Sequence, residues 1–175
     1  MSEVIFTTIH GSRLYGFDHE RSDEDVFIVT DSTRGKARQT IVGNEDRFTV
    51  GLSRFLDLAT SGSHQSVEAL FSPFKEWGDG PKAAQYRPMI ESIRVGGVAE
   101  KFERTIRRFS YGDFKQRRHA CRLYFALDDL RIHGRMRPNL HRWQIDWCTR
   151  TAEELNGYDL TERLGVTHSP TKEDE

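Results

Sequence analysis

The stretch IHGSRLYGFDHERSDEDVFIVT, residues 9–30, decides what fold and chemistry we expect. It joins the end of one apolar run to a Gly11–Ser12 turn and a polar loop, and then sets Asp23 and Asp25 at the start of a second apolar run. Successive side chains of a strand point to opposite faces. If a strand begins here, Asp23 and Asp25 share one face and Glu24 lies on the other.

Two carboxylates on one face of a strand need a compensating positive charge. Like charges a few ångströms apart repel each other, and a divalent metal ion between them removes the repulsion. Oxygen ligands suit Mg²⁺, which proteins hold with one or two carboxylates together with phosphate oxygens of a substrate. Asp23 and Asp25 are therefore candidate metal ligands, with Mn²⁺ as a possible substitute, and the pattern indicates a nucleotide substrate.

The turn before the acids supplies groups that a polyphosphate needs. Gly11 lets the backbone approach a phosphate closely, Ser12 adds a hydroxyl, and Arg13 is near enough in sequence to assist. Taken alone, a Gly-Ser turn and an Asp-x-Asp pair are both common solvated turns. In this order, each at the end of a strand, they predict a metal and nucleotide site.

Composition limits the class of protein. A chain of 175 residues suits one domain with a sizeable core, and a net charge of −1 gives no general attraction to nucleic acid although 30% of the residues are charged. Cys121 and Cys148 are far apart, which predicts reduced thiols. No apolar run reaches the ~20 residues of a membrane span. We therefore expect a soluble, cytoplasmic protein that does not bind membranes.

The periodicity of apolar residues changes along the chain. The short runs VIFTTI, DVFIVT and RFTV predict strands in the first 50 residues, and from Leu52 onward the spacing is helical. Residues 71–88, rich in Pro and Gly, are expected to wrap the surface, and residues 114–132 to form the longest helix. The fold class predicted is α+β, a small mixed N-terminal sheet with helices packed on it. We divide it into a core at 1–100, a C-terminal helical region at 101–160 and a disordered polar tail at 161–175.

The quoted residues resemble a known family. Gly-Ser, a loop of about ten residues and Asp-x-Asp leading into an apolar strand are similar to the nucleotidyltransferase motif of the DNA polymerase beta superfamily. The segments GSRLYGF and SDEDVFIV resemble those of the small bacterial and phage nucleotidyltransferases in particular. The similarity extends more weakly through LSRFLDLATSGSHQSVEALFSP and RRHACRLYFALDDLRIHG, and so covers roughly residues 4–134.

This resemblance implies roles for individual residues. Gly11 and Ser12 would hold a nucleoside triphosphate such as ATP, and Asp23 and Asp25 would bind the metal. The superfamily uses a third carboxylate on a neighbouring strand, which corresponds best to Asp46, as metal ligand and general base, with Glu45 as the alternative. The implied reaction transfers a nucleoside monophosphate from the triphosphate to a hydroxyl of an RNA end, a protein or a small molecule. Glu24 and Phe48 depart from the family pattern.

Several residues have two open interpretations. Glu68 lies on a predicted helix, where a cap or surface role is about as plausible as a role in the site. His119 and Arg122 either face the nucleotide or belong to a charged outer helix face. We expect Trp143 and Trp147 to serve in packing. The basic, aromatic region 103–122 either binds a nucleic-acid acceptor or is a solvated helix face.

Two functions of different class follow. The first is an active, metal-dependent nucleotidyltransferase that releases pyrophosphate. The second is a non-catalytic nucleotide-binding or regulatory module of the same fold, for example in a toxin–antitoxin-like pair, because a fold alone does not guarantee chemistry. The presence of both Asp23 and Asp25 favours the enzyme. The sequence leaves the base, the acceptor and the oligomeric state open.

Overall fold

The computed structural model describes residues 2–18, 24–32 and 37–166. These residues form an α+β fold with a mixed sheet, as the sequence predicts. The strands are β1 (Val4–Ile9), β2 (Glu24–Thr30), β3 (Arg38–Val42), β4 (Glu45–Gly51) and β5 (Glu76–Trp77).

The described helices pack against the sheet or against one another. They are α1 (Gly11–Tyr15), α2 (Leu52–Thr60), α3 (His64–Phe71), α4 (Pro81–Ser92), α5 (Ala99–Ser110), α6 (Phe114–His133), α7 (Arg142–Glu154) and α8 (Gly157–Arg163). Within the described ranges, no helix combines the length and the apolar character needed to cross a lipid bilayer.

The order of the strands brings the two acidic strand ends together. The sheet runs β3-β4-β2-β1-β5, with β2 and β4 parallel and the other neighbours antiparallel. Parallel pairing sets the beginnings of β2 and β4 at the same edge of the sheet. The expectation that RFTV lies beside DEDVFIVT is confirmed.

Strand β3 was missed by the sequence analysis. It forms a hairpin with β4 through Gly43 and Asn44, and Gly43 has a φ of +62°, which favours glycine. Most of its side chains are exposed, and Ile41 remains 78% accessible. Because an exposed edge strand carries no alternating apolar pattern, the residues gave no clear signal.

The core lies between the sheet and the helices. Phe6 of β1, Phe27 of β2 and Phe55 of α2 are all buried, with ring centroids 5.4 Å apart for Phe6 and Phe55 and 5.9 Å apart for Phe27 and Phe55. Such edge-to-face contacts add to the gain from burying the rings. The apolar face of α2, whose spacing predicted the helix, packs against Phe6 of β1 and Phe27 of β2.

Helix α6 runs through the C-terminal half almost as predicted. Its N-cap is Asp113, whose carboxylate accepts from the Gln116 backbone in a capping box, and it ends at Gly134 in the left-handed conformation. Trp147 of α7 packs against it, as expected, with its ring 5.3 Å from that of Phe125. Trp143 touches the same ring but stays 60% exposed.

Two segments are more ordered than the sequence suggested. The expected surface wrap at 71–88 contains α4, which begins at Pro81, carries Pro88 inside and buries Ala83 and Ile90. Proline is compatible with the first turn of a helix, so Pro81 marks a start rather than a loop. The predicted disordered tail at 161–175 is ordered as far as residue 166, where Leu164 and Val166 are buried. Residues 167–175 lie outside the described part.

Candidate functional site

The turn after β1 is built around a close contact between Gly11 and Asp25. Gly11 has a φ of +62°, and a Cβ added to it would lie 1.8 Å from Oδ2 of Asp25. The backbone N–H of His10 donates to the Asp25 carbonyl at 2.8 Å, which fixes the end of β1 to the start of β2. Glycine is required here because its bare α-carbon makes room for the carboxylate.

Asp25 and Asp46 are neighbours across the sheet. The register of β2 and β4 pairs Asp25 with Asp46, so both side chains project to one face from strands about 4.8 Å apart. Glu45 falls on the opposite face, where it accepts from Arg47 at 2.6 Å. Of the two alternatives for the third carboxylate, Asp46 therefore has the geometry and Glu45 does not. Asp23, the remaining predicted ligand, lies outside the described residues.

Asp46 has one oxygen bonded and one free. Its Oδ2 accepts from Nε2 of Gln39 on β3 at 2.6 Å. Its Oδ1 is buried and has no hydrogen-bond partner among the described residues. A buried carboxylate oxygen without a donor is costly unless a cation or a proton satisfies it.

These residues fit a divalent cation. Asp25 and Asp46 provide hard oxygen donors on one face, and the buried Oδ1 of Asp46 lacks a donor. Mg²⁺ commonly uses one or two carboxylates and completes its shell with water and phosphate oxygens. Within the described ranges no group of three or more His, Cys, Asp or Glu side chains is placed to hold a metal, so the described ligand set consists of these two carboxylates.

The predicted phosphate-binding residues have different positions. Ser12 lines a cleft next to Asp25, and its carbonyl accepts from the Phe17 N–H at 2.9 Å to close the turn. Arg13 does not line this cleft. Its guanidinium lies 3.4 Å from Glu24, and both side chains are about 40% exposed (39% and 41%), a kind of pair that contributes little to stability.

The cleft is lined by acidic and basic residues. It has a volume of about 700 Å³, and its lining includes Asp25, the Gly11–Ser12 turn, and Lys115 and Arg118 of α6. Arg118 is held by its guanidinium 4.3 Å from the ring centroid of Phe17. Asp46 is one strand away from the cleft wall. A ligand that carries both a cation and several negative charges would match this distribution.

A buried ion pair contacts residues that line the cleft. Glu68 of α3 and Arg122 of α6 are 0% and 1% exposed, and their charged atoms are 2.8 Å apart. Tyr15 donates to the other oxygen of Glu68 at 2.5 Å, and the Arg122 guanidinium lies 3.4 Å from the Tyr15 ring centroid. The interpretations of Glu68 as a helix-surface residue and of Arg122 as part of an outer charged face are therefore wrong. Both side chains are enclosed in the interior of the protein, where each neutralises the charge of the other.

Three histidines, His10, His64 and His119, also line the cleft. His119 lies against Arg122 with its Nδ1 2.7 Å from Nη2; because arginine only donates, Nδ1 is the acceptor and the ring is neutral. Burial, followed by the positive charge of Arg122, holds the pKa of His119 well below its usual range. Burial also lowers the pKa of His10 and His64. The cleft therefore contains neutral imidazoles at neutral pH.

The sequence contains a signal for this network. Glu68 lies within the apolar stripe of Val67, Leu70 and Phe71, and Arg122 lies between Cys121 and Leu123, all of which are buried. Charged residues inside two apolar helix faces predict a buried pair between those helices. His10 and His64 gave no comparable signal, because their burial depends on residues far away in the sequence.

Comparison with known proteins adds no assignment. No protein-family model matches the chain, and no curated protein is significantly similar to it. The functional interpretation therefore depends on the residues and their geometry.

Proposed function

We propose that this protein is a divalent-metal-dependent nucleotidyltransferase that moves a nucleoside monophosphate from a nucleoside triphosphate to a hydroxyl group. The observation that carries the proposal is the register pairing of Asp25 with Asp46 beside the Gly11 turn. Lys115 and Arg118 in the same cleft support it, because a triphosphate needs cations to bind its phosphates.

Asp25 and Asp46, with Asp23 as the third ligand that the sequence predicts, would hold Mg²⁺ or Mn²⁺. When bound, the metal supplies charge neutralisation on the phosphate oxygens and at the attacking and leaving oxygens. Lys115 and Arg118 bind the outer phosphates, and Ser12 offers a hydroxyl donor from the turn. These contacts hold the α-phosphorus in line with the acceptor, and such placement supplies most of the catalysis in phosphoryl-transfer enzymes.

The chemical step needs a base beside the acceptor. The acceptor oxygen forms a bond to the α-phosphorus while the bond from that phosphorus to the bridging oxygen breaks, and pyrophosphate leaves with the bonding electrons. The proton of the acceptor hydroxyl passes to Asp46, the carboxylate paired with Asp25 across β2 and β4.

The test follows transfer of label from each nucleoside triphosphate, marked at the α-phosphorus, to total RNA, protein or small molecules in the presence of Mg²⁺. We expect pyrophosphate release and acceptor labelling with the wild-type protein. Asp46→Asn should lower turnover strongly and change triphosphate binding little, while Asp57→Asn, an exposed aspartate on α2, should behave like wild type. Metal-dependent triphosphate binding without turnover under every condition would replace the enzyme with a nucleotide-binding module.

A further inference from the structure

A second cavity lies between α5 and α8. It has a volume of about 230 Å³ and is lined by Arg104, Arg107, Arg108, Tyr111, Tyr158 and Thr161. We call it the α5–α8 groove. Its arginines occupy positions i, i+3 and i+4 of one helix, so they share one face. The groove therefore concentrates positive charge at a place that the proposed reaction does not use.

The charge of these arginines is not neutralised within the described part of the chain. No carboxylate there comes within ion-pair distance of Arg104, Arg107 or Arg108, although Glu103 on the same helix pairs with Arg131. Nε of Arg107 is buried and has no hydrogen-bond acceptor among the described residues. A buried donor without a partner costs about 1–3 kcal/mol. An anion in the groove would satisfy it.

Two tyrosines border the groove with exposed rings. Tyr111 is 62% exposed and Tyr158 is 63% exposed, so most of each side chain is accessible to a ligand. The ring of Tyr111 is positioned against Gly157, where an added Cβ would come within 3.2 Å of it. Flat, exposed rings beside unpaired arginines are the elements with which proteins bind single-stranded nucleic acids.

The groove adjoins the cleft. Arg108 lines the groove, and its guanidinium lies 4.8 Å from the ring centroid of Phe109. Phe109 lines the cleft and contacts the ring of His119 at 4.9 Å. The two cavities are therefore connected through neighbouring residues of α5.

We propose that the α5–α8 groove binds a single-stranded nucleic acid, with phosphates on Arg104, Arg107 and Arg108 and bases stacked on Tyr111 and Tyr158. Its role as the acceptor in nucleotidyl transfer rests on the function proposed above; the binding itself does not. An acidic protein would also neutralise the arginines. It would give no reason for two exposed aromatic faces beside them, so nucleic acid is the better match.

The experiment measures fluorescence anisotropy of a labelled 12-nucleotide single-stranded RNA and DNA in EDTA, without nucleotide. We expect both or one of them to bind, with log Kobs falling against log salt at a slope of about −2, the value for three phosphates. Tyr111→Leu should weaken binding roughly 5- to 150-fold, the range for one base stack. Arg107→Gln should weaken it and reduce the slope by about 0.7.

Arg142→Gln is the matched control, because that side chain is 90% exposed on α7, away from the groove. If Arg107→Gln lowers the melting temperature, the exposed Arg104 gives a second variant, Arg104→Gln, with the same expected loss. Binding that is absent, insensitive to the groove variants, or displaced equally well by polyglutamate would overturn the proposal, and the last result would indicate an acidic protein partner.

This binding assay and the label-transfer assay together separate the two proposals. Asp25→Asn should leave oligonucleotide binding unchanged, because Asp25 lies in the cleft and the measurement contains no metal. If oligonucleotides bind at the groove and no nucleotidyl transfer occurs, the groove proposal stands and the proposed function fails. If transfer occurs and the groove variants bind oligonucleotides normally, the proposed function stands and the groove proposal fails.

Discussion

Two glycines allow the contact between the turn and Asp25 to be tested by one matched pair of substitutions. Gly11 and Gly43 both have a φ of +62°, yet a Cβ at Gly11 would lie 1.8 Å from Asp25 Oδ2, while one at Gly43 would meet nothing within 4 Å. Gly11→Ala and Gly43→Ala therefore share the backbone penalty, which is about 1–2 kcal/mol for an L-residue in the left-handed region. They differ in the clash with the carboxylate.

The clash forces Asp25 away from its preferred side-chain position. An off-rotamer side chain costs about 0.5–1.5 kcal/mol. The free energy of unfolding should thus fall by about 1–2 kcal/mol in Gly43→Ala and by about 1.5–3.5 kcal/mol in Gly11→Ala. Because Asp25 moves, Gly11→Ala should also lose Mg²⁺-dependent triphosphate affinity, which Gly43→Ala should retain.

Urea unfolding followed by circular dichroism gives the two stabilities, and calorimetric titration gives the affinities. Equal losses of stability, with triphosphate affinity preserved in Gly11→Ala, would refute the reasoning that Gly11 exists to admit the Asp25 carboxylate.

Other features give further expectations. Arg122→Met should lower the free energy of unfolding by about 3–5 kcal/mol, because it leaves the buried Glu68 charge without its partner. Thermal unfolding measures this loss, and the double variant Glu68→Gln/Arg122→Met should recover part of it. A loss of stability no larger than that of the exposed Arg87→Met would contradict the prediction. The free energy of unfolding should fall as the pH drops below about 6.5, by up to about 1.4 kcal/mol per pH unit for each imidazole. The cause is that the unfolded chain takes up protons that the folded chain excludes, because folding lowers the pKa values of these histidines. A free energy of unfolding that stays constant between pH 7.5 and 5.5 would rule this out. The groups responsible are His10, His64 and His119. Lys115→Gln should weaken triphosphate binding more than nucleoside binding in a titration, with Arg142→Gln unchanged, and equal weakening of both ligands would remove the phosphate role.

The sequence predicted the parts of the fold that carry strong local patterns. The run from Val4 to Ile9 is β1, and α6 occupies the segment in which the longest helix was expected. Asp46 was placed on a strand beside β2 by the family resemblance, and the parallel register of β2 and β4 sets it opposite Asp25.

The sequence did not predict features that arise from contacts between distant residues. Glu68 meets Tyr15 from 53 positions away and Arg122 from 54. The apolar neighbours of Glu68 and Arg122 indicate burial, but the partner that each charge meets depends on how the helices pack. The edge strand β3 was missed for the opposite reason, since its residues are mostly exposed and carry no period.

The central claim is that Asp25 and its neighbouring carboxylates hold a metal together with a nucleotide. The direct measurement is calorimetric titration of a non-hydrolysable nucleoside triphosphate into wild type, Asp25→Asn and Asp57→Asn, with Mg²⁺ and with EDTA. We expect tight binding only with Mg²⁺, its loss in Asp25→Asn, and no change in Asp57→Asn, with all three proteins folded, because removing one of two like charges should not destabilise the metal-free protein. Unchanged Mg²⁺-dependent affinity in Asp25→Asn would contradict the account.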